Sequence, residues 1–253
     1  ENNNEISKKI IDAKKPMIIL GESFFNTKSA NYLFHSLKRF LKENNKITSE
    51  WNSLNILSSD AATVGNLDLG IINSKENLIG DLKENKFELV YLLGQDNLEF
   101  NKKNEFIIYQ GSHGDKGAEI ADIILPGAAY TEQSAHFTNL EGKIQKAYKA
   151  SYPPGEAKED WQIINELAEM MNNRKLFNDK DELESSMFNF LNIKKEKQKS
   201  EVIEEINQNN FENENLEINC KDYYFSNVIA RSSKTMLDCY NSKFDIKRTG
   251  TEG

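Results

Sequence analysis

Side chains with chemistry to offer gather at one place in this chain. Residues 109–115 read YQGSHGD, with Gly117-Ala118 just beyond. Gly111, Gly114 and Gly117 punctuate a loop that leaves an apolar run, and glycine permits tight backbone turns that bulky residues resist. Such a loop could cradle phosphate at a helix N-terminus. Its spacing differs from G-x-G-x-x-G, so a tight strand-to-loop turn is the better reading. His113 and Asp115 flank the loop. They could form an acid–base pair, but a hydrogen-bonded clasp that holds the loop is preferred. Asp122 stands inside an apolar run, where an unpaired charge would be costly, so it is expected to accept hydrogen bonds from nearby loop backbone. Pro126 closes that run, because proline cannot donate to a strand ladder.

Elsewhere the candidates thin out. His35, His113 and His136 are far apart in sequence, and the two cysteines, Cys220 and Cys239, make no disulfide framework, zinc site or iron–sulfur ligand set. His136 alone is no metal site. The thiols read as packed side chains, since neither has a base close by in sequence. No metal or cofactor is therefore expected on side chains of this chain. A net charge of −8 gives no support for nucleic-acid binding. No run approaches the roughly 18 apolar residues of a membrane-spanning helix. At 38% apolar residues the chain can build a core, but with little reserve. Runs of Asn and Lys read as a coding bias rather than a prion-like segment. The first residue is Glu, not Met, which suggests a processed chain or part of something longer, and no signal peptide is visible.

The positioning elements follow from hydrophobic pattern. Residues 17–20, 89–93, 106–109 and 122–125 are short apolar runs, most closed by Gly or Pro, and read as strands of one parallel sheet with helices on both faces. Residues 6–14 read as the end of a helix leading to Pro16. Tyr32, Leu33, Leu37, Phe40 and Leu41 recur at helical spacing within 29–43. Residues 51–57 (WNSLNIL) read as a helix start or irregular stretch. Pro153-Pro154-Gly155 opens another helix. Glu156, Glu159 and Asp160 fall in its first turns, and Trp161, Ile164, Leu167, Ala168 and Met171 on its apolar face. The chain divides into an α/β domain over 1–172, a polar helical region over 173–215 that is flexible near 196–215, and a tail over 216–253 expected to pack on the body or a neighbouring subunit.

Four segments in order carry a resemblance: YQGSHGD at 109–115, IADIILPGAAYTE at 120–132, FTNLEGKIQ at 137–145 and PPGEAKEDW at 153–161. The middle two resemble the molybdopterin oxidoreductase superfamily, with its ADVILP…TNTEGR pattern. The whole series resembles the molybdopterin-oxidoreductase-like domain of the large (75 kDa) iron–sulfur subunit of respiratory complex I. The tail, INCKDYYFSN at 218–227 and IARSSKTM at 229–236 followed by Cys239, is similar to the mitochondrial and alphaproteobacterial forms. WNSLNIL at 51–57 and LDLG at 67–70 fit the same subunit. In active molybdenum enzymes of the superfamily, the loop corresponding to 138–145 lies near the pterin. Here Lys143 stands where Arg is usual and His136 where Thr is usual, and neither change decides binding. The motif positions singled out are Gly111, His113, Gly114, Asp115, Asp122, Pro126, Asn139, Glu141, Gly142 and Trp161.

The resemblance implies an α/β fold, the second half of a molybdopterin oxidoreductase-like domain, with a helical C-terminal extension. It implies a structural or assembly module of the peripheral arm of NADH:ubiquinone oxidoreductase. Iron–sulfur clusters are expected in the partner part of the subunit, and contacts with neighbouring complex I subunits. The expected place is the matrix side of the mitochondrial inner membrane, or the cytoplasmic side of a bacterial one. The family's cysteine-rich cluster region and first half-domain are not in this sequence. Either the subunit is split and this is its second polypeptide, or this is a piece of a longer chain. A fragment of an active molybdopterin enzyme is the alternative, and an unrelated α/β binding domain the third reading.

Overall fold

The computed structural model describes residues 5–71, 78–98, 100–197, 211–213 and 223–244. Two compact units emerge. The first comprises Glu1–Leu69, Phe137–Gln145 and Phe190–Cys220, and the second Gly70–His136, Lys146–Asn189 and Lys221–Gly253.

In the first unit, helix α1 (Glu5–Asp12) precedes strand β1 (Ile18–Gly21), helix α2 (Ala30–Glu43), strand β2 (Leu54–Leu57) and helix α3 (Thr63–Leu69). β1 and β2 pair in parallel, Ile18 opposite Leu54 and Gly21 opposite Leu57. The 51–57 segment is thus a strand rather than a helix start. Its run is too short and too mixed for periodicity to decide, and pairing with β1 does so. α2 buries Leu41 completely, and Asn45 after it takes φ 57°, a left-handed position asparagine tolerates. Ser53 is fully buried and its hydroxyl donates to the Lys46 carbonyl at 2.5 Å. The Trp51 indole donates to the Pro16 carbonyl at 2.9 Å, tying the two strand entrances together.

The second unit begins with helix α4 (Leu78–Lys83), then strands β3 (Leu89–Leu93) and β4 (Phe106–Gly111), helix α5 (Lys116–Glu119) and strand β5 (Ile123–Pro126). The three strands form one parallel sheet in the order β3-β4-β5. The apolar pattern placed 17–20 in this sheet; instead that run pairs with β2 in a sheet of its own. Leu82, Leu92, Phe100, Ile107 and Tyr109 make the core, with Ala118 and Ile120 packed against it. Strand alternation puts Leu92, Ile107 and Tyr109 on that face and Leu89, Leu93, Phe106 and Ile123 on the other. Those four are 44–58% exposed, so among the described residues the second face is only partly covered, chiefly at its carboxyl end where Gln110 is buried.

Strands β6 (Ala135–Thr138) and β7 (Ile144–Ala147) pair with each other. So short a connection permits only antiparallel pairing. The sequence pattern showed no strands here. Helix α6 (Asp160–Asn172) starts later than Glu156, which lies before it. Its expected apolar face is only partly realised: Trp161 is half-buried, but Met171 is exposed and Asn165 is buried, where its side chain holds the 176–177 backbone. Helix α7 (Lys180–Lys197) follows, and helices α8 (Val228–Ser232) and α9 (Lys234–Phe244) form the tail. The 198–210 part of the expected flexible stretch and Cys220 lie outside the described residues.

Candidate functional site

The carboxyl ends of β3 and β4 carry two clusters of polar side chains bonded to one another. Parallel strands present their loops there, and it is the end at which α/β sheets take ligands. Two clusters occupy it.

The first is built on the 111–117 loop. Tyr109 leaves the core with its phenol donating to the His113 carbonyl at 2.8 Å. A Cβ on Gly111 would run into that ring, and a Cβ on Gly117 would stand 2.6 Å from the Gln95 carbonyl. Both glycines are therefore needed for close packing rather than for a left-handed turn. Gly114 meets open space. His113 Nδ1 lies 2.9 Å from the Ser112 hydroxyl. Asp115 caps α5, accepting from Lys116 N at 2.9 Å, and does not pair with His113. Its other oxygen takes Arg231 Nε at 2.6 Å, while Arg231 Nη2 reaches Asp96 at 2.8 Å and Nη1 the Phe225 carbonyl at 3.2 Å. Burial works to raise the Asp115 pKa, but the Arg231 bond and the Lys116 N–H outweigh it and hold the carboxyl below its ordinary range. Burial, helped by Asp96 and Asp115 and opposed by Arg231, pushes the Tyr109 phenol up to about 12.

The second cluster lies under the start of α6. Gln110 is fully buried, accepts from the Tyr91 hydroxyl at 2.5 Å and donates to Asp160 Oδ1 at 2.7 Å. Gln133 donates to the other Asp160 oxygen at 2.9 Å. Burial first, and Asp160 second, raise the Tyr91 pKa. Glu159 forms a capping box with Gln162, and takes Lys180 at 2.5 Å and the Trp161 indole at 3.2 Å. Burial favours its neutral form, but Lys180 and the indole keep its pKa below the usual value.

Asp122 sits at the foot of β5. It accepts from the Ile107 backbone N–H at 2.8 Å and pairs with Lys102 at 2.6 Å, so its partners are a strand amide and a lysine rather than loop backbone. Pro126 is the last residue of β5, opposite Gly111, and its carbonyl accepts from Lys158 N at 3.2 Å.

In the first unit, Asn139 Oδ1 accepts from Glu141 N and Lys143 N at 3.0 and 2.9 Å, and Gly142 takes φ +80°. This makes a tight, self-bonded turn between β6 and β7. A cleft of about 380 Å³ beside it is lined by Ser58, Ser59, Asp60, Val64, Thr138 and Gln145, among others. The Glu22 carboxylate accepts from the hydroxyls of both Ser58 and Ser59. Among the described residues there is no group of three His, Cys, Asp or Glu that could hold a metal ion.

Two family models account for most of the chain. Residues 1–170 match molybdopterin oxidoreductase. The chain belongs to that family. Residues 182–239 match a second model, the C-terminal region of the NADH-ubiquinone oxidoreductase G subunit. The NADH-ubiquinone oxidoreductase 75 kDa subunit of Reclinomonas americana is 38% identical over 252 residues, covering 94% of this chain and 36% of that protein. The mitochondrial 78 kDa subunit of Candida albicans is 36% identical over 257 residues, covering 94% and 34%. The NADH-quinone oxidoreductase G subunit of Rickettsia bellii is 36% identical over 248 residues, covering 94% and 35%. The chain thus spans about a third of the length of these relatives.

Family membership raises the question of a molybdenum–pterin group at the 138–145 turn. Among the described residues the cleft beside that turn offers hydroxyls, amides and the Asp60 carboxylate, and Lys143 stands in the turn itself. The carboxylates of the two clusters at the strand ends are satisfied by their own neighbours. Of the motif positions, the fold brings Gly111, His113 and Asp115 together and places Asn139, Glu141 and Gly142 in one turn. Asp122, Pro126 and Trp161 serve separate contacts. Sequence reasoning missed Gln110, Gln133, Lys180 and Arg231. A glutamine closing the apolar run FIIYQ was the one local signal; the others are recognised only by distant partners.

Proposed function

We propose that this chain is the C-terminal part of the large iron–sulfur subunit of respiratory complex I and acts there as a structural module, without catalysing a step itself. The observation that carries the reading is the succession, in one chain, of a molybdopterin oxidoreductase domain and the C-terminal region of the complex I G subunit. The polar clusters support it: Arg231 engages Asp115 and Lys180 engages Glu159, leaving the loops braced rather than poised for proton transfer. No cofactor is held by this chain's side chains. Iron–sulfur clusters belong to the remainder of the subunit, whether joined to this chain or on a separate polypeptide. Among the described residues no helix is long and apolar enough to cross a membrane. The proposed place is the matrix side of the inner membrane in a mitochondrion, held there with other subunits.

Elemental analysis of the assembly purified through this chain tests the reading. Iron in severalfold excess over the chain with no stoichiometric molybdenum is expected. One molybdenum per chain would favour an active molybdopterin-dependent oxidoreductase.

A further inference from the structure

The Arg231 side chain crosses 116 residues of sequence to reach Asp115 and 135 to reach Asp96. Asp96 follows β3 and Asp115 follows β4, so one guanidinium bridges the loops at the carboxyl ends of two adjacent strands. The three side chains are 19–21% exposed, and the fork is filled by a third acceptor, the Phe225 carbonyl. Around it the tail folds on itself: Asn227 caps α8 by accepting from Ala230 N at 2.9 Å, and Phe225 and Tyr240 rings meet at 4.9 Å.

We propose that Arg231 is an intramolecular latch: through it the C-terminal tail occupies the carboxyl end of the β3–β4 pair, closing the ligand-taking end of this sheet from within and making tail and 111–119 loop one cooperative unit. Three features argue for this over an incidental surface pair. A planar guanidinium aims N–H donors in a fixed fork at carboxylates on two different loops, a geometry that the freely rotating ammonium of lysine does not impose. Asp115 is committed twice, to Arg231 and to the first amide of α5, so the latch also sets the start of that helix. The Tyr109 phenol, reaching out of the core to the His113 carbonyl, passes the loop's position on to the central strand. With the latch shut, both acids are paired with the chain's own guanidinium. Release of α8 would free the loop and the tail together. The proposal concerns contacts within the chain and stands whether or not the complex I assignment holds.

Hydrogen exchange by mass spectrometry on the full chain, in the assembly with which it purifies, tests it. Arg231→Gln is expected to lower amide protection about tenfold or more both in 111–119 and in 223–240, while 106–110 in the core keeps its protection. Asp115→Asn, which still caps α5, should loosen the tail in the same direction, and the double variant should be no looser than Arg231→Gln alone. If Arg231→Gln also unfolds 106–110, Arg231→Lys gives the reading: it keeps the charge but not the fork, and should loosen both segments around an intact core. Loss confined to the tail with an unchanged 111–119 loop, or strictly additive effects of the two substitutions, would overturn the latch.

Discussion

At Gly111 a missing side chain is a packing requirement. The Tyr109 phenol lies where a Cβ would stand, so Gly111→Ala must displace the ring from the core or the loop from the strand. The expected cost is about 1–3 kcal/mol in urea unfolding. Tyr109→Leu in the same chain should make the added methyl nearly neutral, whereas Tyr109→Phe should not, because the ring carbon clashes as well. The sequence marks this glycine, but for turn freedom; its φ is not left-handed, and the reason it is required is a neighbour two residues back. Asp122 was legible as a charge in need of partners, while Lys102 was not, since only the fold brings it within 2.6 Å. Lys102 first, and the Ile107 amide second, hold the Asp122 pKa down. A carboxylate whose folded pKa lies below its unfolded one stabilises fully above the unfolded value, near 4. That contribution is lost as pH falls through the folded pKa. Acid titration of stability should therefore be shallower below pH 4 in Asp122→Asn than in the parent chain. An unchanged slope would show that the pair contributes nothing.

Among elements, those with a strong period were readable and those defined by pairing were not. The 29–43 helix and the strands at 89–93, 106–109 and 122–125 follow from apolar spacing and the Gly or Pro that closes them. The β2 strand and the β6–β7 pair were not, because LNIL, AHFT and IQKA mix polar with apolar residues over too short a run to separate strand from loop, and their partners supply the difference. The start of α6 lies a turn later than the acids suggest, since Glu156 and Glu159 look equally suited to a first turn. Only Glu159 is buried with Lys180 and the Trp161 indole at hand. Glu159→Ala removes the cap and leaves the Lys180 ammonium without its carboxylate. The expected loss is about 2 kcal/mol, read as a fall in Tm and as fraying of the first α6 turn in hydrogen exchange. Glu159→Gln, which keeps the capping acceptor, should lose about half of that.

For the whole molecule, the decisive physical fact is partly exposed parallel sheet among the described residues. Met17, Ile19 and Leu57 share one face of the first sheet and are 54–62% exposed; Leu89, Leu93, Phe106 and Ile123 are 44–58% exposed on the second. Parallel sheets are covered on both faces in stable proteins, so these surfaces call for a cover. On the proposed function, the cover is the rest of the subunit, across an obligate interface of roughly 2,000 Å² or more. Phe106→Asp is expected to abolish recovery of the chain's partners. A chain that keeps its partners after that substitution would show the face to be free. The central claim is that this chain is an obligate structural subunit, and its most direct test is the identity of the chains that purify with it from its native source. The predicted result is a large assembly containing a polypeptide that carries the cysteine ligands of iron–sulfur clusters. A soluble monomer with a cooperative unfolding transition independent of concentration would contradict it.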